Sequence, residues 1–243
     1  KPWFLWAHYF DPHTQYKAIP GLVEIFGKHR RARYNGEIAY TDHHIGRLLK
    51  HLKKTGQDKN TMVVFVSDHG EEFQDHGDRL HGKTLYREVM RVPLSIRVPG
   101  VSAQRIQQPV STVDLMPTLL DAAGIDHDSM SLPGISLWSA AVGAKPLSKN
   151  RPVFGEIYPG DASVIGEPER DLAYRWVRRG RQKLIVPRQL GKRTPWKDFL
   201  TGPALYDVVQ DPDERVDLIS DPAMAGAVKD LRGLLDFWWS PDK

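Results

Sequence analysis

The chain has 243 residues, 40% of them hydrophobic and 26% charged, with a formal net charge of +4. Such a chain can bury the core of one large domain, or of a domain with a smaller companion, and it is not a low-complexity or strongly charged polymer. The absence of cysteine excludes disulfides and thiolate metal sites, and no stretch approaches the roughly 18 uncharged apolar residues a membrane helix requires.

The chain opens on Lys1-Pro2, with neither an initiator Met nor a signal peptide, and runs directly into Trp3-Phe-Leu-Trp-Ala-His-Tyr-Phe10. That apolar run predicts a strand of a parallel sheet, which needs neighbours on both sides, so the expectation is the rear part of a longer protein. Asp11-Pro12-His13 ends the run, because Pro12 cannot donate to a ladder and biases Asp11 toward extended or turn geometry. His13 is therefore expected at a strand end. From Gly36 to Thr55 the residues Ile38, Ile45, Leu48, Leu49 and Leu52 recur at helical spacing, and Gly56 supplies a stop. His43 and His44 read as surface or packing residues of that helix.

Thr61-Met-Val-Val-Phe-Val66 is a run rich in β-branched residues between Asn60 and Gly70, and it predicts a strand buried on both faces. Strand, helix and strand in succession follow the logic of a parallel α/β sheet. Side chains just past the carboxyl end of such a strand sit where open α/β sheets bind ligands. Asp68 and His69 there offer one hard oxygen and one imidazole nitrogen, a pair suited to a divalent cation. Gly70 is expected to permit the tight turn that lets both side chains face one site. On the residues alone, Asp68 as a helix cap and His69 as an ordinary loop residue remain open. Residues 71–87 form a polar loop that carries His76, His81 and Lys83, and loops this long and polar inside a compact domain are usually functional or disordered.

Arg91–Val98 predicts a third strand, and Asp114–Gly124 a short helix with Asp114 as N-cap, Pro117 in its first turn and Gly124 as its stop. From about Leu132 to Asn150 the composition turns to Gly, Pro, Ser and Ala, which suggests a boundary between 1–150 and 151–243. Beyond it, Val153–Tyr158, Leu172–Arg178, Gln182–Pro187 and Ala204–Val208 predict a small antiparallel sheet. Asp221-Pro222 opens a last helix lined by Met224, Val228, Leu231, Leu235 and Trp238, with Gly226 and Gly233 inside the pattern. The basic clusters Lys28–Arg33 and Arg175–Lys183 read as solvated faces, not as a nucleic-acid surface, although they could favour an anionic substrate. Ala162–Glu169 and Gln189–Gly202 read as variable loops without a decipherable specificity code.

Phe10-Asp-Pro-His13, Tyr34-Asn-Gly-Glu-Ile-Ala-Tyr-Thr-Asp42, Ser67-Asp-His-Gly70, His81-Gly-Lys-Thr-Leu-Tyr86, Arg91-Val-Pro93 and Val113-Asp-Leu-Met-Pro-Thr118 occur in one order that resembles the sulfatase family. That family belongs to the alkaline phosphatase-like superfamily. Ala204-Leu-Tyr-Asp207 and Asp211-Pro-Asp-Glu214 resemble its C-terminal subdomain. The resemblance implies an α/β fold, with a mostly parallel sheet flanked by helices and a small C-terminal antiparallel sheet with a terminal helix. It implies a divalent-metal hydrolase of sulfate esters on small molecules or glycans, with calcium the usual ion and manganese, magnesium or zinc as alternatives. Asp68 and His69 would supply metal ligands, the second position being Asn in many relatives. His13 would contact the sulfate or leaving-group oxygen. The family's sulfate-binding Lys falls at Gly82 here, so His81 and Lys83 share the expectation of a cationic donor. The family's nucleophile, a formylglycine made from Cys or Ser in a Cys/Ser-x-Pro-x-Arg motif, is expected upstream together with paired aspartates, in the N-terminal half of the same protein. A phosphoester or phosphonate hydrolase of the superfamily, or a fragment that only binds ligand, are the competing readings; Gln15 stands where two-metal members carry a second His.

Overall fold

Residues 1–158, 166–188 and 199–240 are described by the computed structural model, which falls into two units: Lys1–Val63 with Arg97–Gly100, and Val64–Ile96 with Val101–Lys243. Half of the variable loop Ala162–Glu169, residues 162–165, and most of Gln189–Gly202, residues 189–198, lie outside the described residues.

In the first unit a short helix α1 (Val23–Phe26) precedes the long α2 (Arg30–Lys54). Helix α2 begins well before the expected Gly36, because the His29 ring accepts the Ala32 N–H at 3.3 Å and caps a basic first turn that no apolar pattern could reveal. His51, Lys53 and Lys54 lie at its carbonyl end, where positive charge is favoured, and Gly56 then takes φ 71°. Leu52 is buried, but Ile38 and Leu49 are 43% and 40% exposed, so the apolar stripe is only partly covered. The strand expected over residues 3–10 does not form: Trp3, Phe4, Leu5, Trp6 and Phe10 are exposed and irregular. A strand exists through its ladder, and no described residue pairs with this run, so β propensity alone leaves it without structure.

The second unit holds β1 (Val63–Val66, beginning at its boundary), β2 (Glu72–Phe73), β3 (Arg79–Leu80), α3 (Arg87–Met90) and β4 (Leu94–Arg97). Strands β1 and β4 pair as a two-stranded sheet. Phe65 and Val66 are 43% and 36% exposed, so the expected burial on both faces is not met by the described residues; two strands cannot cover each other's faces. Helix α4 (Leu115–Ala123) ends at Gly124 in the left-handed region, as expected, and is followed by α5 (Trp138–Ala141). Asp114 precedes α4, but its carboxylate does not cap it. It accepts Ser111 N–H at 2.8 Å and Ile135 N–H at 3.0 Å, and grips the Arg151 guanidinium at 2.6 and 2.8 Å.

Strands β5 (Pro152–Ile157), β6 (Tyr174–Arg179), β7 (Gln182–Pro187) and β8 (Ala204–Asp207) form an antiparallel meander in that order. Alternation along β7 sends Leu184 and Val186 to one face and Ile185 to the other. Helix α6 (Ala225–Trp238) covers the first face with the fully buried Leu231 and Leu235, after a turn capped by Asp221, whose Oδ1 accepts Ala223 N–H at 2.9 Å. Tyr86, Leu85, Tyr174 and Tyr206 fill the second. The basic cluster of Arg175–Lys183 is not simply a solvated face: Arg175 is 6% exposed and Lys183 only 4%. Arg175 reaches Asp236 at 3.0 Å and the Trp239 carbonyl.

Asp114→Ala should cost about 3–5 kcal/mol, because it leaves Arg151 partly buried without its counter-charge. Urea unfolding of the variant checks this, and an unchanged midpoint would contradict it.

Candidate metal and anion site

In the first unit, the turn after Phe10 is held by α2. Glu37 is fully buried, and its carboxylate accepts His13 N–H at 3.2 Å and Lys17 N–H at 2.7 Å. One helical turn later, Thr41 Oγ1 donates to the Asp11 carbonyl at 3.1 Å. The His13 ring stacks on Phe10 at 4.3 Å, and its Nδ1 lies 2.6 Å from the Thr14 carbonyl. Because a carbonyl only accepts, Nδ1 carries a proton, and Nε2 is the nitrogen left to face a ligand.

In the second unit, β1 delivers Asp68 and His69 just past its last residue. Asp68 Oδ1 accepts the His69 N–H at 2.9 Å, and Ser67 Oγ donates to the His69 carbonyl at 2.8 Å. His69 Nδ1 sits 2.8 Å from the Gly70 carbonyl, which fixes its proton there and leaves the Nε2 lone pair outward. That Nε2 lies 3.6 Å from Asp68 Oδ2, so one nitrogen and one oxygen donor converge. Gly70 serves differently from the expected turn: its φ is not in the left-handed region, but a Cβ there would lie 1.9 Å from the Glu88 carbonyl oxygen. Its N–H donates to Val89 O at 2.7 Å, so the strand end lies backbone-to-backbone against α3.

The polar loop is a hairpin, β2 against β3, folded around one carboxylate. Glu72 is 2% exposed; its Oε1 accepts His76 and Asp78 N–H, both at 3.0 Å, and its Oε2 accepts Thr84 Oγ1 at 2.9 Å. The hairpin returns His81 to His69, with ring centroids 3.7 Å apart, while His81 Nδ1 meets Glu71 Oε1 at 3.0 Å. Lys83 Nζ reaches Asp78 Oδ1 at 3.0 Å. Burial alone would raise the Asp78 pKa, but hydrogen bonds from the Arg79 N–H and Lys83, with the lysine's charge, hold it below the usual carboxylate range.

The structure thus gathers Asp68, His69 and His81, and ties Lys83 into the same hairpin through Asp78; His13 lies in the other unit. Sequence reasoning missed Glu37, Glu71 and Glu72, which orient these groups. Glu37 had a signal, standing with Thr41 at i, i+4 on one helix face. Glu71 and Glu72 looked like ordinary loop charge.

A sulfatase family model matches residues 1–125, and a model for the C-terminal part of N-sulphoglucosamine sulphohydrolase matches residues 77–237. The chain belongs to the sulfatase family, and its fold is alkaline phosphatase-like. It is 29% identical over 217 residues to a Delta 4,5-hexuronate-2-O-sulfatase of Bacteroides thetaiotaomicron, covering 86% of this chain and 41% of that protein. A protein solved with its substrate D-glucosamine-2-N,6-O-disulfate superposes with a TM-score of 0.66 and 26% identity, over 86% of this chain and 40% of the other. The phosphonate monoester hydrolase of Agrobacterium radiobacter superposes with a TM-score of 0.67 and 26% identity, again over 86% and 40%. The chain therefore spans about two fifths of the length of these relatives.

Sulfatases generally use a divalent metal. Among the described residues no group of three or more His, Asp or Glu side chains is arranged to hold one. Asp68 and His69 fit as part of a coordination sphere, because the Gly70 carbonyl presets the histidine tautomer a metal requires.

Gly70→Ala should destabilise the protein by about 1–3 kcal/mol or more, since backbone cannot yield as a side chain does; a thermal melt matching wild type would contradict this. Asp78, whose folded pKa is depressed, contributes stability that is present above the ordinary carboxylate pKa and lost as pH falls through the folded value. Urea midpoints of wild type and Asp78→Asn should therefore differ near neutrality and converge as pH falls below about 4, the ordinary carboxylate range.

Proposed function

We propose that this chain is the rear part of a sulfuric ester hydrolase acting on a sulfated small molecule or glycan. Residues 1–150 belong to the catalytic domain and 151–243 to its C-terminal subdomain. The N-terminal half of the same protein supplies the formylglycine nucleophile and further aspartate ligands. The observation that carries this reading is the convergence of Asp68 Oδ2 and His69 Nε2 at 3.6 Å, with His81 stacked on the same imidazole.

Asp68 and His69 would hold the divalent metal, whose chemistry would be to offset negative charge on the ester oxygens and to polarise the nucleophile. His81 and Lys83 are the cationic donors to the sulfate oxygens, where fixed donors act best in a site preorganised before reaction. Glu71 orients the His81 ring, and Asp78 holds Lys83 in the hairpin. As the S–O bond to the leaving group breaks, charge grows on the departing oxygen, and His13 in its doubly protonated form would donate the Nε2 proton to it, keeping its Nδ1 proton on the Thr14 carbonyl. His13→Ala should lower turnover by roughly a hundredfold or more, the usual scale for a lost general acid. The 243-residue chain alone should be inactive.

Calcium is the ion the family resemblance implies, but it takes oxygen donors, whereas the imidazole nitrogen of His69 suits zinc. The same donor pair and the phosphonate hydrolase neighbour support a second reading, hydrolysis of phosphonate monoesters. Turnover of matched aryl sulfate and aryl phosphonate monoesters by the protein expressed from its whole reading frame separates the two. Faster cleavage of the sulfate is expected, and exclusive cleavage of the phosphonate would overturn the first reading. In His69→Asn, affinity for zinc should fall roughly ten- to a hundredfold, no less than on loss of a ligand-orienting partner, while calcium binding holds. Calorimetric titration of the metal-stripped protein measures both.

A further inference from the structure

The tripeptide Asp213-Glu214-Arg215 lies far along the chain from the hairpin, yet it grips that segment at both ends. On the side before His81, the Glu214 carbonyl lies 3.2 Å from His76 Nε2, and Arg215 Nη1 donates to the Asp75 carbonyl. On the side after Lys83, Glu214 Oε2 accepts the Arg87 N–H at 2.7 Å, and Asp213 Oδ1 meets Arg87 Nη1 at 2.5 Å. Glu214 Oε1 lies 2.7 Å from Lys183 Nζ, which also donates to the Leu85 carbonyl. The tripeptide thus meets residues 75–87 through the Asp75 carbonyl, the Arg87 N–H, the His76 ring and, at the rim, the Arg87 guanidinium. Glu214 is 2% exposed and takes φ 52°, a left-handed conformation unusual outside glycine.

The hairpin needs outside support. Gln74 and Leu80 stand at φ 72° and 73°, sparsely populated for side chains of their kind, and Leu80 immediately precedes His81. Such backbone persists only where the surroundings over-determine it. Glu72 supplies part of that constraint from within, and the tripeptide supplies the rest from the C-terminal sheet.

We propose that Asp213-Glu214-Arg215 is a positioning element that sets where His81 and Lys83 stand at the anion site, an inference that rests on the assignment of those two residues to sulfate. It touches neither metal nor substrate and acts through the hairpin. A change at the edge of the C-terminal subdomain should therefore be felt at the His81 imidazole.

The test uses Asp213→Ala/Arg215→Ala in the protein expressed from its whole reading frame, since both side chains lie at the rim and Glu214→Gln would strand the buried Lys183. Imidazole nitrogen–proton NMR at one fixed pH reads His81 directly, with the His127 signal as a control away from the hairpin. Signals of His81 should move in the variant while those of His127 stay. Arg215→Lys, which keeps a donor for the Asp75 carbonyl, should leave His81 in place. Turnover of 4-nitrophenyl sulfate should fall about ten- to a hundredfold in kcat/KM, as expected for displaced catalytic groups, and recover in Arg215→Lys. Unmoved His81 signals in a folded variant would overturn the proposal, as would a wild-type kcat/KM. A wild-type protein that cleaves no sulfate ester would refute the sulfatase reading instead, and the imidazole spectra would still decide whether the tripeptide sets His81. Should the double variant fail to fold, Asp213→Asn alone gives the same reading with the same two outcomes.

Discussion

A lysine ammonium and a glutamate carboxylate stand 2.7 Å apart, both almost wholly out of water, and much of the second unit depends on how that pair is satisfied. Burial pulls the Lys183 pKa down, against the pull of Glu214 in the other direction. Desolvating two charges costs several kcal/mol each, so the pair is tolerable only where every remaining lone pair and proton finds a partner. The partners here are the Leu85 carbonyl for the lysine and the Arg87 N–H for the carboxylate. Both belong to one short segment, so the sheet and the anion hairpin cannot shift independently without exposing a buried charge.

That arrangement explains why the second face of the C-terminal sheet buries the Lys183–Glu214 pair, where the first is mostly apolar and carries its charge at Arg175 and Asp236. On β7, Leu184 and Val186 pack beneath α6, while Lys183 and Ile185 face Leu85, Tyr86 and Tyr206. The Tyr86 hydroxyl, its pKa raised by burial, lies 3.5 Å from that of Tyr206, and His76 stacks on the Tyr86 ring at 3.7 Å. A polar seam therefore runs from the sheet to the hairpin. Burying polar groups in full register can specify one docking geometry where a greasy face would allow several.

Much of this was legible in the sequence, and the rest was not for physical reasons. Gln182–Pro187 formed a strand with the expected bounds, because its apolar residues occur between turn signals, and Asp221-Pro222 opened its helix as capping chemistry dictates. Local rules suffice where the decisive partners are neighbours. The run from Trp3 to Phe10 failed, because a strand is defined by a ladder and the sequence of one strand does not contain its partner. The site divided the same way. The placement of Asp68 and His69 was readable from the end of β1, whereas within the polar loop only the family resemblance singles out His81 and Lys83. Glu72, Glu214 and Lys183 were not legible, since a charged residue in isolation reads as solvated and only the fold reveals which charges are buried together. Gly70 was singled out for a turn, whereas the structure requires it for close approach to the Glu88 carbonyl.

On the proposed reading, Asp68 and His69 share one metal, and His81 and Lys83 meet the anion beside it. Crystals of the protein expressed from its whole reading frame, grown with zinc and soaked in inorganic sulfate, locate the metal by anomalous scattering and the anion beside it. An anomalous peak bonded to Asp68 Oδ2 and His69 Nε2 is expected, with a sulfate oxygen in hydrogen-bond contact with His81 or Lys83. A metal bound away from His69, or a sulfate that touches neither His81 nor Lys83, would contradict it.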